Sequence, residues 1–164
     1  MKIYVLKGHA ERGKTTTLKQ VALNLASAYS DAEIIYSEQK LTFDKIKKQV
    51  VLEKRERRAQ NIDIETERIA LVMRANGKTV GIFSDGDYEK DIADAVNMFE
   101  EYSCDIAFGV CRSKGITIKL YEDMHHEICF VEKAEVRNAR EYEKFNDYIE
   151  KLNEWQANEL ASCV

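Results

Sequence analysis

The chain has 164 residues, no proline and only seven glycines. Average usage would give about eight prolines and about eleven glycines in this length. A collagen-like repeat, a proline-rich linker and a Gly/Pro-rich disordered chain are thereby excluded. No apolar run approaches the roughly 18 residues of a membrane span. The opening Met1-Lys2-Ile3-Tyr4-Val5-Leu6 is too short for a signal-peptide core. The four cysteines, Cys104, Cys111, Cys129 and Cys163, are spaced by 7, 18 and 34 residues. None forms a C-x-x-C pair and no zinc pattern fits, so they read as free, buried thiols of a reducing cytoplasmic compartment. Neither sign of charge dominates. With 25 basic and 29 acidic residues the net charge is -4, which gives no overall attraction to nucleic acid or to an anionic membrane.

What is present is ordinary for a globular chain: 45% apolar and 33% charged residues. The length suits a single domain over 1–164 with one sizeable core. Its elements alternate. Residues 3–6 form a short apolar run of strand type. Over 15–29, Leu18, Val21, Ala22, Leu25 and Tyr29 share one helical face. Ile34-Ile35-Tyr36 predicts a strand, and Phe43, Ile46 and Val50 open a helical stripe. Residues 64–73 and 78–83 flank Asn76-Gly77, a strong hairpin signal because both turn positions tolerate positive φ. A helix follows over 87–102, then a continuous apolar strand over 106–110, as expected inside a sheet covered on both faces. The stretch 117–125 fits strand and helix periods alike. A helix is chosen, because it supplies the crossover before a strand at 128–131. Tyr142, Phe145, Ile149, Leu152 and Trp155 predict a closing helix over 137–160. Strands alternating with helices argue an α/β sandwich with a mostly parallel sheet and one antiparallel hairpin strand.

One segment carries chemistry. Gly8-His9-Ala10-Glu11-Arg12-Gly13-Lys14-Thr15 fits G-x-x-x-x-G-K-[ST] at every fixed position, between an apolar strand and an amphipathic helix. At average usage a chance match in such a chain is roughly a 1% event. The glycines let successive N–H groups turn inward toward phosphate oxygens, and the helix N-terminus, reaching Thr16, adds donors and positive dipole. Lys14 is expected at the β- and γ-phosphates and the Thr15 hydroxyl on Mg²⁺.

On these residues the chain resembles the P-loop (Walker A) NTPase superfamily. The resemblance covers residues 1–29, with the later alternation consistent with it, and implies a three-layer sandwich that binds Mg²⁺ and a nucleoside triphosphate. His9 stands where the ParA/MinD-like group has a lysine, which disfavours that group. The D-x-x-G and [NT]-K-x-D motifs of GTPases are not in place, which favours ATP, and the L-S-G-G-Q signature of ABC proteins is absent.

A P-loop protein needs a carboxylate near the metal, normally at the end of the strand beside the first one. Asp85 and Asp87 follow the apolar run 80–83. Asp85 is the expected metal ligand and Asp87 an alternative; a turn residue and a helix cap are their structural readings. Ser84 is a further candidate for a water or γ-phosphate contact. Arg112 and Lys114 follow the next strand, where strand ends face the ligand crevice. Arg137 and Arg140 follow the last strand, where an arginine finger would arise. His125 and His126 read as surface residues. Seven cations, Lys45, Lys47, Lys48, Lys54, Arg55, Arg57 and Arg58, fall within 14 positions. They read as a solvated helix face, or as a site for an anionic acceptor or nucleic-acid phosphates.

The expected activity is therefore hydrolysis or transfer of the γ-phosphate of Mg²⁺–ATP, with Lys14, Asp85, Asp87 and Arg112 at the chemistry. An ATPase working with a protein partner or as a homo-oligomer, a small-molecule or nucleotide kinase, and a regulatory nucleotide-binding module all remain open.

Overall fold

The computed structural model describes residues 1–9, 13–58, 67–134 and 146–164, and among these residues are six strands and five helices. The elements are β1 (Lys2–Lys7), α1 (Lys14–Ala28), β2 (Glu33–Ser37), α2 (Phe43–Arg58), β3 (Ala70–Ala75), β4 (Lys78–Phe83), α3 (Glu89–Glu101), β5 (Ile106–Cys111), α4 (Ile116–Glu122), β6 (Glu127–Glu132) and α5 (Asn146–Ala161). The sheet order is β2-β3-β4-β5-β1-β6. β1 pairs in parallel with both β5 and β6, and β4 in parallel with β5. β3 is antiparallel to both its neighbours. The hairpin at Asn76-Gly77 forms as expected, and the ambiguous stretch near 117 is the short helix α4.

Alternation along the strands builds two cores. Leu6, Leu71, Met73, Val80, Ile82, Phe108 and Val110 pack on one face with Leu18, Val21 and Leu25 of α1, Ile46 of α2, and Ala157 and Leu160 of α5. Ile3, Val5, Val72, Phe83 and Ala107 pack on the other with Ile92, Ala95 and Phe99 of α3 and Tyr121 of α4. The molecule is an α/β three-layer sandwich whose sheet is parallel except for β3.

Three expectations need correction. First, β4 does not lie beside β1: β5 stands between them, so the strand ending near Asp85 is not the neighbour of the first strand. Second, the apolar stripe chosen for the closing helix matches its buried face at Ile149 but not at Trp155. Trp155 is 56% exposed, and beside Ile149 α5 buries Glu150, Asn153, Gln156, Ala157 and Leu160. Gln156 is polar because it meets the backbone around Lys133, and Asn153 because it meets the Thr17 hydroxyl. Third, only Cys104 and Cys111 are buried, whereas Cys129 and Cys163 are half-buried, and all four are free thiols. Desolvation pushes the Cys104 thiol up to about 12 and the Cys111 thiol up to about 11, which leaves them inert. Residues 137 and 140 lie outside the described segments. Among the described residues no helix is long and apolar enough to cross a membrane.

Candidate functional site

The Gly8–Thr15 segment leaves the C-terminal end of β1, an interior strand, and enters α1. Its ends are described; residues 10–12 lie outside the described set. Gly8 donates its N–H to the Cys111 carbonyl at 3.2 Å, so the loop starts still attached to β5. A Cβ on Gly8 would stand 2.7 Å from Cβ of Lys133, which leaves room only for glycine. Gly13 caps α1 in the left-handed region at φ 79°, where a side chain is strained. A Cβ there would also meet the Asn153 amide nitrogen at 3.0 Å.

Lys14 is buried and folds back into the segment. Its Nζ donates to the Gly8 carbonyl at 2.9 Å and to the His9 carbonyl at 2.7 Å. The three threonines that follow are not equivalent. Thr16 donates its hydroxyl to Glu53 Oε2 at 2.7 Å, and Thr17 donates to Asn153 Oδ1 at 3.4 Å. Thr15 is half-exposed, with its hydroxyl tied to no described residue. It is the threonine with an oxygen to offer a metal.

The second wall comes from the loops after β4 and β5. Gly86 presses on β5, where a Cβ would fall 1.9 Å from the Val110 carbonyl oxygen. That contact carries the chain across the end of the intervening strand. Asp87 thereby reaches Arg112, which donates Nε–H to Asp87 Oδ1 at 3.2 Å. Asp87 is not the cap of α3, because that helix starts at Glu89, and Asp91 Oδ2 accepts the N–H groups of Asp87 and Tyr88. Asp85 faces the other way. Arg68 Nη1 meets its carboxylate at 3.4 Å while Nη2 donates to Glu38 at 2.8 Å. Burial raises the Asp85 pKa above the usual carboxylate range, and Arg68 opposes that only in part. Ser84 is structural: its hydroxyl accepts the Ile69 N–H at 2.8 Å. Ser113 Oγ lies 3.3 Å from His9 Nδ1, which links the loop after β5 to that after β1. Gly8, His9, Lys14, Asp87, Arg112 and Ser113 thus share one crevice at the C-terminal strand ends. Lys114 is exposed beside it.

Elsewhere the expected residues disperse. His125 is exposed, and His126 is half-buried against Glu100 at 2.9 Å. Lys45, Lys47, Lys48 and Arg55 lie exposed on α2. Glu53, however, is buried with Lys19 at 2.5 Å, and Lys54 pairs with Glu154. The sequence reading missed Lys133, Asn153 and Gln156. Lys133 had a usable signal, since it follows an apolar strand as Asp85 and Arg112 do. Asn153 and Gln156 had a weaker one, polar residues at core spacing in a helix.

Among the described residues no group of three or more His, Cys, Asp or Glu side chains is arranged to hold a metal. The donors near the loop, a hydroxyl and carboxylates, are hard oxygen ligands. They suit Mg²⁺, which is held by one or two protein oxygens together with phosphate and water. Compared with known proteins, the chain matches no family model, no curated protein and no solved structure.

Proposed function

We propose that the chain is a P-loop NTPase-like protein that binds Mg²⁺ and a nucleoside triphosphate, ATP above GTP, and hydrolyses or transfers the γ-phosphate together with a partner protein or a second copy. The observation that carries this is the pairing of the complete G-x-x-x-x-G-K-[ST] spacing with an interior parallel strand before it and a helix capped by a left-handed glycine after it. Strand ends of open α/β sheets are where ligands bind. Backbone N–H groups of the segment 8–16 cradle the phosphates. Thr16 contributes only its backbone, because its side chain is committed to Glu53. Lys14 exchanges two carbonyl oxygens for phosphate oxygens, which are stronger acceptors of a charged donor. Thr15 holds Mg²⁺ with one strand-end carboxylate; the metal supplies neutralisation of phosphate charge. Asp87 suits that place better than Asp85, since Gly86 brings it to the β1 side of the crevice. Arg112, paired to Asp87, stabilises charge on the transferred group.

A phosphotransferase is the second reading, favoured by the Glu38, Arg68 and Asp85 cluster at neighbouring strand ends, where an acceptor would approach. Incubation with ATP and Mg²⁺ alone separates the two: an ATPase releases ADP, whereas a kinase stays nearly silent until its acceptor is added.

The central test is thermal stabilisation by Mg²⁺–ATP and Mg²⁺–GTP. Lys14→Ala should abolish it while the circular dichroism spectrum stays native. Stabilisation that survives in that variant overturns phosphate binding at this loop. Asp87→Asn should weaken the Mg²⁺-dependent part more than Asp85→Asn does; the reverse order returns the metal to Asp85.

A further inference from the structure

Two buried lysines meet at Gly8. Lys14 is one. The other is Lys133, only 5% exposed, the first residue after β6. β1 is flanked by β5 and β6, and Lys7 is in register with Cys111 on one side and Glu132 on the other. One step further along, Gly8 stands between Arg112 and Lys133. The backbone confirms this placement: Lys133 N–H donates to the Lys7 carbonyl at 2.7 Å, as Gly8 N–H does to Cys111. A Cβ on Gly8 would touch the stems of both lysines, Lys133 Cβ at 2.7 Å and Lys14 Cδ at 3.9 Å.

Lys133 is held in place by a purpose-built contact. Gln156, buried on α5, grips the chain on either side of it. Its Nε2 donates to the Glu132 carbonyl at 2.6 Å, and its Oε1 accepts the Ala134 N–H at 3.0 Å. This amide clamp fixes the backbone from which the lysine side chain departs. The Lys133 ammonium donates to the Ala134 carbonyl at 2.6 Å, much as Lys14 rests on the carbonyls of Gly8 and His9.

We infer that Lys133 is a second phosphate-contacting lysine of this site, whose ammonium leaves the Ala134 carbonyl and turns across Gly8 onto polyphosphate oxygens. This rests on the reading of residues 8–15 as a phosphate loop. Lysine suits the role, with three donors on a flexible stem and no fixed plane. Lys133 and Arg112 then approach the phosphates from opposite sides of β1.

Isothermal titration of wild type, Lys14→Ala and Lys133→Met with Mg²⁺–ATP and with inorganic tripolyphosphate tests this. Lys133→Met should bind both ligands on the order of tenfold more weakly, the loss expected for one charged hydrogen bond. Lys133→Arg should recover part of the affinity. If the methionine variant does not fold, Lys133→Gln gives the same comparison. Unchanged affinity for tripolyphosphate overturns the inference. A loss seen with ATP but not with tripolyphosphate also overturns it, by moving Lys133 to the base or ribose. Wild-type binding that Lys14→Ala destroys keeps the phosphate loop standing in either case. No wild-type binding of either ligand overturns both.

Discussion

Single carboxylates shift stability with pH in opposite directions. Asp85 has a raised pKa because it is partly buried, so the folded chain holds that proton more tightly than the unfolded chain does. Ionising it therefore costs stability above the ordinary carboxylate pKa, and the cost is relieved as pH falls. Asp85→Asn should raise the melting temperature of the unliganded protein near pH 7 and flatten its pH dependence. A lower melting temperature would show that the Arg68 pairing outweighs the burial. Asp31 is the converse. Its carboxylate accepts the N–H groups of Gly77 and Asn76 at 2.7 and 3.0 Å, which lowers its pKa. That contribution is present at neutral pH and lost as pH falls through the folded pKa. Gly13→Ala should destabilise by about 1–2 kcal/mol through backbone strain alone, and contact with Asn153 adds to it. Differential scanning calorimetry measures each of these.

Among the elements, α1, α2 and α5 pack together behind the Gly8–Thr15 segment. Lys19 is fully buried and Glu53 nearly so. Their pair, joined by Thr16, ties the first turns of α1 to α2. Removing one member leaves a buried charge without its partner, so Glu53→Ala should cost roughly 3–5 kcal/mol. Replacing both, as Lys19→Met with Glu53→Leu, should restore most of that in urea denaturation. The element pattern was largely legible in the sequence because apolar periodicity and the Asn76-Gly77 turn are local signals. Ile46 and Val50 marked the buried face of α2, and Leu18, Val21 and Leu25 that of α1. The loop residues Gly8, Gly13 and Lys14 were legible for the same reason, being fixed by spacing within one segment. Side chains whose partners are remote in sequence were not. Glu53 looked like an interruption of a basic surface, yet it is the buried partner of Lys19. In α5 the periodicity of Leu152 and Trp155 outweighed Gln156, whose burial follows from backbone groups more than 20 residues away, and Asn153, which meets Thr17 of α1. Strand order was equally hidden, since nothing local to β4 announces that β5 separates it from β1.

At the scale of the whole molecule, the interior strand β1 pairs only with strands far downstream of it. β3 and β4 are joined by a two-residue turn, and their ladder closes within 14 residues from Ala70 to Phe83. β1 pairs only with β5 and β6, about a hundred residues or more downstream. Distant pairings carry a larger loop-closure cost and form slowly. Assembly order is the consequence. A nascent chain can complete the hairpin early, but its first strand has no neighbour until residue 106 has been made and none on the second side until residue 127. The strand ends around Gly8 are therefore brought together only after β6 has been made. Pulse-labelled hydrogen exchange during refolding should show amides of β3 and β4 protected before those of β1. Simultaneous protection of all three would mean that the sheet closes in one step.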